Sequence, residues 1–301
     1  MSLNTDHQSH RRDWFGLGEY PLDHNGVNSL YLLDTVGSTN EFLRGQGSGT
    51  SGRLCRWDGQ RWQAGVLEMQ QPVVQPCPGI VVVSRLQTAG RGRQGRSWVD
   101  CGGLNLSFAV DPMRAAVAQG FSVWLGLIVT LVLQQKFSID ARLKWPNDIL
   151  VRGRKIGGIL VQRNVLESGP VLIAGVGLNL DATVVDLPAG LESIATSFRI
   201  ESGKTCQPAE VAAELLGRVE ADLDLFSTEG WSRFRSDWRR VDALVGRHVS
   251  LVAGEETHAG EVVGLSDSGA LMMKLSGSGE EMLFHAGEVH ILPNPDGWGE
   301  E

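Results

Sequence analysis

The sequence predicts an α+β protein: a central mixed or antiparallel sheet with helices, followed by a small C-terminal β-barrel. Three observations lead there. Short apolar runs bounded by Gly and Pro recur between residues 30 and 180, mostly joined by turn signals, which favours hairpins over strand–helix–strand units. Two long helical stretches, Val117 to Phe137 and Pro208 to Thr228, interrupt and follow those runs. From Val245 the pattern changes to alternation in five short pieces, and closure into a barrel would remove their edges.

The elements follow in order. Residues 1–28 are polar and read as a loosely ordered extension. Leu30-Tyr31-Leu32-Leu33 is a first strand. Ser38 with Glu41 three residues on is a capping-box pattern that starts a helix, and the Ser38, Thr39 and Asn40 side chains there also suit a polar ligand. Gly45 to Gly52 is a turn or linker, and Trp57 and Trp62 bracket an inserted hairpin. Ile80–Val83 and Leu104–Val110 are strands. Val117 to Phe137 is apolar most of the way round and is therefore a buried helix. Around Trp145-Pro146-Asn147-Asp148 the chain must turn, because Pro and Asn-Asp break a central strand. Arg152 to Lys155 is a hairpin turn. Glycines inside the next two strands, Gly157-Gly158 and Gly175 with Gly177, predict a bulge or a close approach. Pro208 suits the first turn of an amphipathic helix, and Trp231, Phe234 and Trp238 continue helical spacing.

Composition narrows the function. The formal charge of −8 and pI near 5.4 argue against a phosphate-backbone binder, which shows a basic face. The most apolar run, Phe121 to Leu133, is shorter than the roughly 20 residues that span a bilayer. Residues 1–13 carry no apolar signal-peptide core, so a cytoplasmic location is expected. Cys55, Cys77, Cys101 and Cys206 form no Cys-x-x-Cys pair, no His stands at zinc-ligand spacing, and no metal ligand is assigned.

The chemistry concentrates in Gln87-Thr88-Ala89-Gly90-Arg91-Gly92-Arg93-Gln94-Gly95-Arg96-Ser97-Trp98, a cationic loop between two strands. Glycines let backbone approach a ligand, and arginine forks grip phosphate or carboxylate. With Lys144 at a strand end, Arg91, Arg93 and Arg96 suit a carboxylate and a polyphosphate together. No Ser-His-Asp, Cys-His or paired-carboxylate set stands at an obvious local spacing. Electrostatic stabilisation and positioning remain, which fits a carboxylate attacking an α-phosphorus with pyrophosphate leaving.

At these residues the chain resembles the biotin–protein ligases. The match consists of Ser38-Thr39-Asn40, Gln87 to Trp98, Lys144-Trp145-Pro146-Asn147-Asp148, Lys155 to Leu160 and Gly175-Val176-Gly177-Leu178-Asn179, in the family's order. The resemblance spans about residues 30–292. It implies a fold like that of class II aminoacyl-tRNA synthetases and biotin ligases, with an SH3-like barrel. The implied division is an extension (1–29), a catalytic domain (30–243, with the insertion 45–78), the barrel (244–293) and a tail (294–301).

It also implies a two-step reaction. Biotin and Mg-ATP give biotinyl-5′-AMP, and a lysine of a biotin carboxyl carrier protein or domain, of acetyl-CoA carboxylase or a related carboxylase, then takes the biotin. Ser38, Thr39, Asn40 and Gln87 are expected to hold the ureido head. Gly90, Arg91, Gly92 and Arg93 should close over biotin and the phosphates, and Gly157 and Gly158 should let backbone line the biotin pocket. Lys144, Arg91 and Arg93 are the expected catalytic cations. Arg96, Trp98, Asn147 and Asn179, with those cations, are expected at ATP. Magnesium should be held mainly by the phosphates.

The sequence departs from the family's pattern at the insertion 45–78 and at Gln94, where a further arginine is common. The polar residues 1–28 are not expected to make a helix-turn-helix, so the resemblance is to the monofunctional type and no DNA partner is expected. No membrane partner is expected either, and a homodimer stays open. Two other readings stand beside it: a lipoate–protein ligase of the same superfamily, which shares the scaffold but typically lacks this Gly-Arg loop, and a catalytically silent biotin or nucleotide sensor.

Overall fold

Strand pairing follows the apolar runs. The structure is a computed structural model that describes residues 15–16, 22, 26–46, 52–58, 60, 62–67, 76–112, 120–167 and 169–292. Most of the expected 1–29 extension, part of the 45–78 segment, the first residues of the expected 117–137 helix and the 294–301 tail lie outside them. In chain order come β1 (Ser29–Val36), α1 (Thr39–Leu43), β2 (Gly52–Trp57), β3 (Trp62–Leu67), β4 (Ile80–Gln87) and β5 (Gly103–Val110). Then follow α2 (Phe121–Phe137), β6 (Ala141–Lys144), β7 (Asp148–Val151), β8 (Arg154–Leu166), β9 (Gly169–Asn179), α3 (Phe198–Ser202), α4 (Pro208–Glu229) and α5 (Arg235–Val241). The last five strands are β10 (His248–Ala253), β11 (Glu256–Leu265), β12 (Leu271–Leu275), β13 (Glu281–Phe284) and β14 (Glu288–Ile291).

Nine strands form one mixed sheet in the order β3-β2-β1-β4-β5-β9-β8-β7-β6. Only β1 and β4 run parallel, and every other neighbouring pair is antiparallel. The hairpin read as an insertion is not a separate lobe. β2 pairs with β1 from Ser29↔Arg56 to Leu33↔Gly52, so the hairpin extends the main sheet to its edge, and Trp57 and Trp62 face each other at 5.6 Å. At the turn between β7 and β8, Arg152 (φ 49°) and Gly153 (φ 75°) take the left-handed conformations a tight hairpin requires. The register of β7 against β8 shifts between Ile149 and Leu150, the irregularity the paired glycines of β8 foretold.

The helices divide between the faces. Five-residue α1 covers one face through a small apolar cluster containing Tyr31, Leu33, Phe42, Val82 and Ile173. Both α2 and α4 lie in the main core, with Leu104, Leu106, Val176 and Leu178 of the sheet. α2 has twelve buried residues, as its all-round apolarity requires. Trp124 stacks on Phe226 of α4 at 4.8 Å and 21°, pinning the two helices together. Among the described residues no helix is long and apolar enough to cross a membrane.

β10 to β14 form an antiparallel sheet in the order β13-β12-β11-β10-β14. Among the described residues, the unit expected to be a small SH3-like barrel is this five-stranded sheet, with β13 and β14, four residues each, at the ends of its order. The core of this sheet, including Val249, Leu251, Val262 and Met273, is continuous with the main one. The Trp145 indole N–H donates to Gly269 O at 3.1 Å, a second tie between the sheets.

Trp124→Ala is expected to destabilise the protein by about 3–5 kcal/mol through the cavity left against Phe226; urea unfolding midpoints at unchanged m-value measure it.

Candidate active site

The floor of the site is one row of directly opposed residues crossing six strands. Ser84 on β4 faces Asn105 on β5, which faces Gly177 on β9, then Gly158 on β8, Asp148 on β7 and Lys144 on β6. Side chains two residues apart share a face of a strand, so Ser107, Gly175 and Leu160 make a second row beside it. Leu160 apart, the rows are small or polar where a packed face would be large and apolar, and other groups settle onto them. A Cβ at Gly175 would stand 2.3 Å from the Asn40 amide oxygen, and one at Gly177 would stand 2.8 Å from the Trp98 ring. The glycines of β9 are thus the seats of Asn40 and Trp98.

The resulting cleft encloses about 960 Å³, part of it open to solvent. Ser38, Thr39, Asn40 and Gln87 line one part, and Arg91, Gly92, Arg93 and Arg96 come in from the loop. Trp98, Lys144, Asn147 and Gly158 complete the expected set. Three expected residues do not line it. Gly90 is buried where a Cβ would meet Trp98 O at 2.6 Å, so it serves the closing of the loop on itself. A Cβ at Gly157 would meet Leu178 at 2.4 Å and Gly177 O at 2.8 Å, so its role is close strand packing. Asn179 is buried and donates to Thr196 O at 3.0 Å.

The polar end is a hydrogen-bonded network. Thr39 donates its backbone N–H (2.8 Å) and hydroxyl (3.2 Å) to Gln87 Oε1. Gln87 Nε2 donates to Asn105 Oδ1 at 3.0 Å. Ser107 Oγ lies 2.7 Å from Thr39 Oγ1 and 2.6 Å from Asn40 Oδ1, and Asn40 Nδ2 donates to Gln162 Oε1 at 2.8 Å. The capping box read into Ser38 and Glu41 is not made: α1 starts after Ser38, but the Ser38 side chain caps nothing, and Glu41 turns to Arg44 (3.0 Å) and Arg91 (3.7 Å). Ser38 is buried and faces the cleft, and the Thr39 N–H that a cap would leave free goes to Gln87.

The other end is cationic. The loop stands on β4 and closes with Trp98 N–H to Gly90 O (2.9 Å) and Gly92 N–H to Arg96 O (2.7 Å) around a 3-10 turn, Arg93–Gly95. Arg93 donates to Asn147 Oδ1 at 3.3 Å, and Asn147 donates to Ile159 O at 2.8 Å, so Asn147 holds an arginine. Asp148 draws in two lysines, with Lys155 Nζ at 2.5 Å and Lys144 Nζ at 3.9 Å. Lys155 also lies over the Trp98 ring, 5.8 Å from its centroid. Burial pushes the Lys144 ammonium below its ordinary pKa; Asp148 opposes this, and Lys155 and Arg96 add to it.

Sequence reasoning missed several members of the site. Asn105 and Ser107 alternate with leucine and phenylalanine in β5, which marks a strand with one polar face. Asp100 and Gln162 carried no such sign. Nor did Gly287, Glu288 and Val289 at the start of β14, which line the cleft from the second sheet, with Glu288 ion-paired to Arg96 of the loop.

A model of the biotin/lipoate A/B protein ligase family matches residues 58–181. The biotin–[acetyl-CoA-carboxylase] ligase of Paracoccus denitrificans is 32% identical over 69% of this chain and 88% of its own length. The chain belongs to the biotin/lipoate A/B protein ligase family. The bifunctional ligase/repressor BirA of Salmonella typhimurium is 32% identical over 66% of this chain, which spans 63% of that protein's length. The fold agrees: the biotin protein ligase of Aquifex aeolicus, solved in complex with biotin and ATP, superposes with a TM-score of 0.69 at 27% identity, over 88% of this chain and 99% of that one. Membership unites the expected motifs with the two-sheet architecture; the geometry above is this chain's own.

Because burial penalises the charged form of Lys144, its ammonium loses its proton below the ordinary value of 10.5. Pyrophosphate affinity, followed by calorimetry against pH, is expected to fall as pH rises through that lowered value. Lys144→Arg, which stays charged, should move the fall to higher pH.

Proposed function

We propose that the chain activates biotin with ATP to biotinyl-5′-AMP, releasing pyrophosphate, and then passes biotin to a lysine of a biotin carboxyl carrier domain. One observation carries this reading. A single cleft joins a neutral network built on Thr39, Asn40 and Gln87 to a cationic end built on Arg91, Arg93 and Lys144. A ligand with an uncharged polar head and a carboxylate tail, meeting a polyphosphate, matches that polarity. The family supports it, as do relatives named for biotin ligation.

In the first step a biotin carboxylate oxygen forms a bond to the α-phosphorus while the bond to the pyrophosphate oxygen breaks. A carboxylate needs no base for this attack. Negative charge builds on the phosphoryl oxygens, and the half-buried ammonium of Lys144 and the guanidinium of Arg93 stand ready for it. In the second step a carrier amine attacks the acyl carbon and AMP leaves. The loop from Gly90 to Trp98 would shield the mixed anhydride from water. Among the described residues no three His, Cys, Asp or Glu side chains cluster as metal ligands, and Asp148 and Glu288 are already paired with cations. Magnesium fits this site as an ion carried by the ATP phosphates, where it would neutralise their charge.

Biotin-dependent pyrophosphate release from ATP tests the reading, with lipoate in a parallel tube. Release with biotin alone is expected. Release with lipoate alone would move the chain to the lipoate ligases, and release with neither would make it a binding protein. Lys144→Ala is expected to cut release by at least about 10²-fold while the thermal midpoint stays near that of the unaltered protein; undiminished release would remove Lys144 from the mechanism.

A further inference from the structure

The carboxylate of Asp100 sits at the foot of the cationic loop, where the strands on either side converge. Its Oδ2 accepts the Gln87 backbone N–H at 2.8 Å and Asn105 Nδ2 at 2.6 Å, and its Oδ1 accepts the Gly102 N–H at 3.0 Å. A carboxylate accepts and does not donate. It therefore admits only one orientation of the Asn105 amide, with nitrogen toward Asp100 and oxygen toward Gln87. Asn105 is buried, and its nitrogen also reaches Ser84 O at 3.4 Å, which rewards the same orientation.

That choice passes to the next amide. With Asn105 Oδ1 facing it at 3.0 Å, the end of Gln87 nearest Asn105 must be its nitrogen. Gln87 Oε1 then faces Thr39, where it accepts two bonds. The Asp100 carboxylate at one end and the Thr39 backbone N–H at the other thus agree on one orientation of both amides. Among the described residues, Gln87 has one N–H of its side-chain nitrogen left, and Gln87 lines the cleft.

We propose that Asp100 is a positioning residue which fixes Gln87, through Asn105, as a hydrogen-bond donor to the ligand. The neutral end of the cleft then selects a head group that presents a carbonyl oxygen. This rests on the reading of the cleft as a biotin site, in which the ureido oxygen is that acceptor.

The test uses the full chain and two acids, biotin and 2-iminobiotin, whose ring carries C=NH in place of the C=O of biotin and, protonated as a guanidinium near neutral pH, donates there and cannot accept. Pyrophosphate release gives kcat and KM for each. The unaltered protein is expected to prefer biotin. Asp100→Ala removes the charged anchor of Asn105 and leaves only Ser84 O and the Thr39 N–H to orient the two amides, and the preference should shrink by at least about tenfold, the scale of one well-placed hydrogen bond. The loss should appear in KM for biotin more than in kcat, since the reacting phosphate lies at the other end. Asp100→Asn can keep its oxygen toward Gln87 and Asn105 while turning its NH2 to the Gly102 side, so it should retain most of the preference. A merely structural role would lower both acids alike and leave their ratio unchanged; that result in Asp100→Ala overturns the proposal, as does equal loss of preference in both variants. Should Asp100→Ala not fold, Asn105→Ala cuts the relay one link later and carries the same expectation. No release from biotin by the unaltered protein would remove the functional reading, and this proposal with it.

Discussion

Close approach over the two glycines of β9 is the constraint on which the site depends. β9 is hydrogen-bonded on both sides, so its side-chain positions are fixed by β5 and β8 together. At Gly175 and Gly177 the missing side chains leave room that Asn40 and Trp98 occupy within a few ångströms of the backbone. Any larger residue would lift α1 or the cationic loop off the sheet. The opposite face of the same strands carries Val176 and Leu178 into the main core. One strand thereby serves stability on one side and ligand space on the other, as period-two alternation allows.

The charges follow a second logic. Lys144, Lys155, Arg93 and Arg96 converge on a space that contains Asp148 and Glu288, and each carboxylate is shared or claimed by a cation. Without a ligand the carboxylates limit the repulsion among the cations. An incoming polyphosphate would compete for the same cations, and Lys144 and Arg93, both disfavoured as charged groups by burial, gain from an added anion. Glu288 makes this exchange reach the second sheet, because its partner Arg96 belongs to the loop. The two sheets meet at the site as well as in the core.

Much of this was legible in the sequence where the signal is local. The strand runs, the buried helix α2, the turn at Arg152-Gly153 and the five C-terminal strands follow from periodicity and turn chemistry, and the structure places them within a few residues of the expected bounds. The cationic loop and Lys144 carried their chemistry in residue type alone. What the sequence hid is what register decides. Nothing near Gly157 says that it packs against β9 while its neighbour Gly158 faces the cleft; that depends on pairing with Leu178 and Gly177. The capping box at Ser38 failed for a similar reason, since Arg91, far along the chain, and Arg44 claim the Glu41 carboxylate that would have closed it. The pairing of Glu288 with Arg96 joins segments 192 residues apart and left no local trace.

The central claim is that one cleft holds the neutral head of an acid at Gln87 and its activated carboxyl end at Lys144. A crystal structure of the full chain with a non-hydrolysable biotinyl-5′-AMP analogue tests it most directly. The ureido ring should lie against Thr39 and Gln87, the phosphate mimic within hydrogen-bonding distance of Lys144 and Arg93, and the adenine beside Trp98. An analogue bound in reverse, with its adenine over the Thr39–Gln87 network, or bound outside this cleft, would contradict the claim.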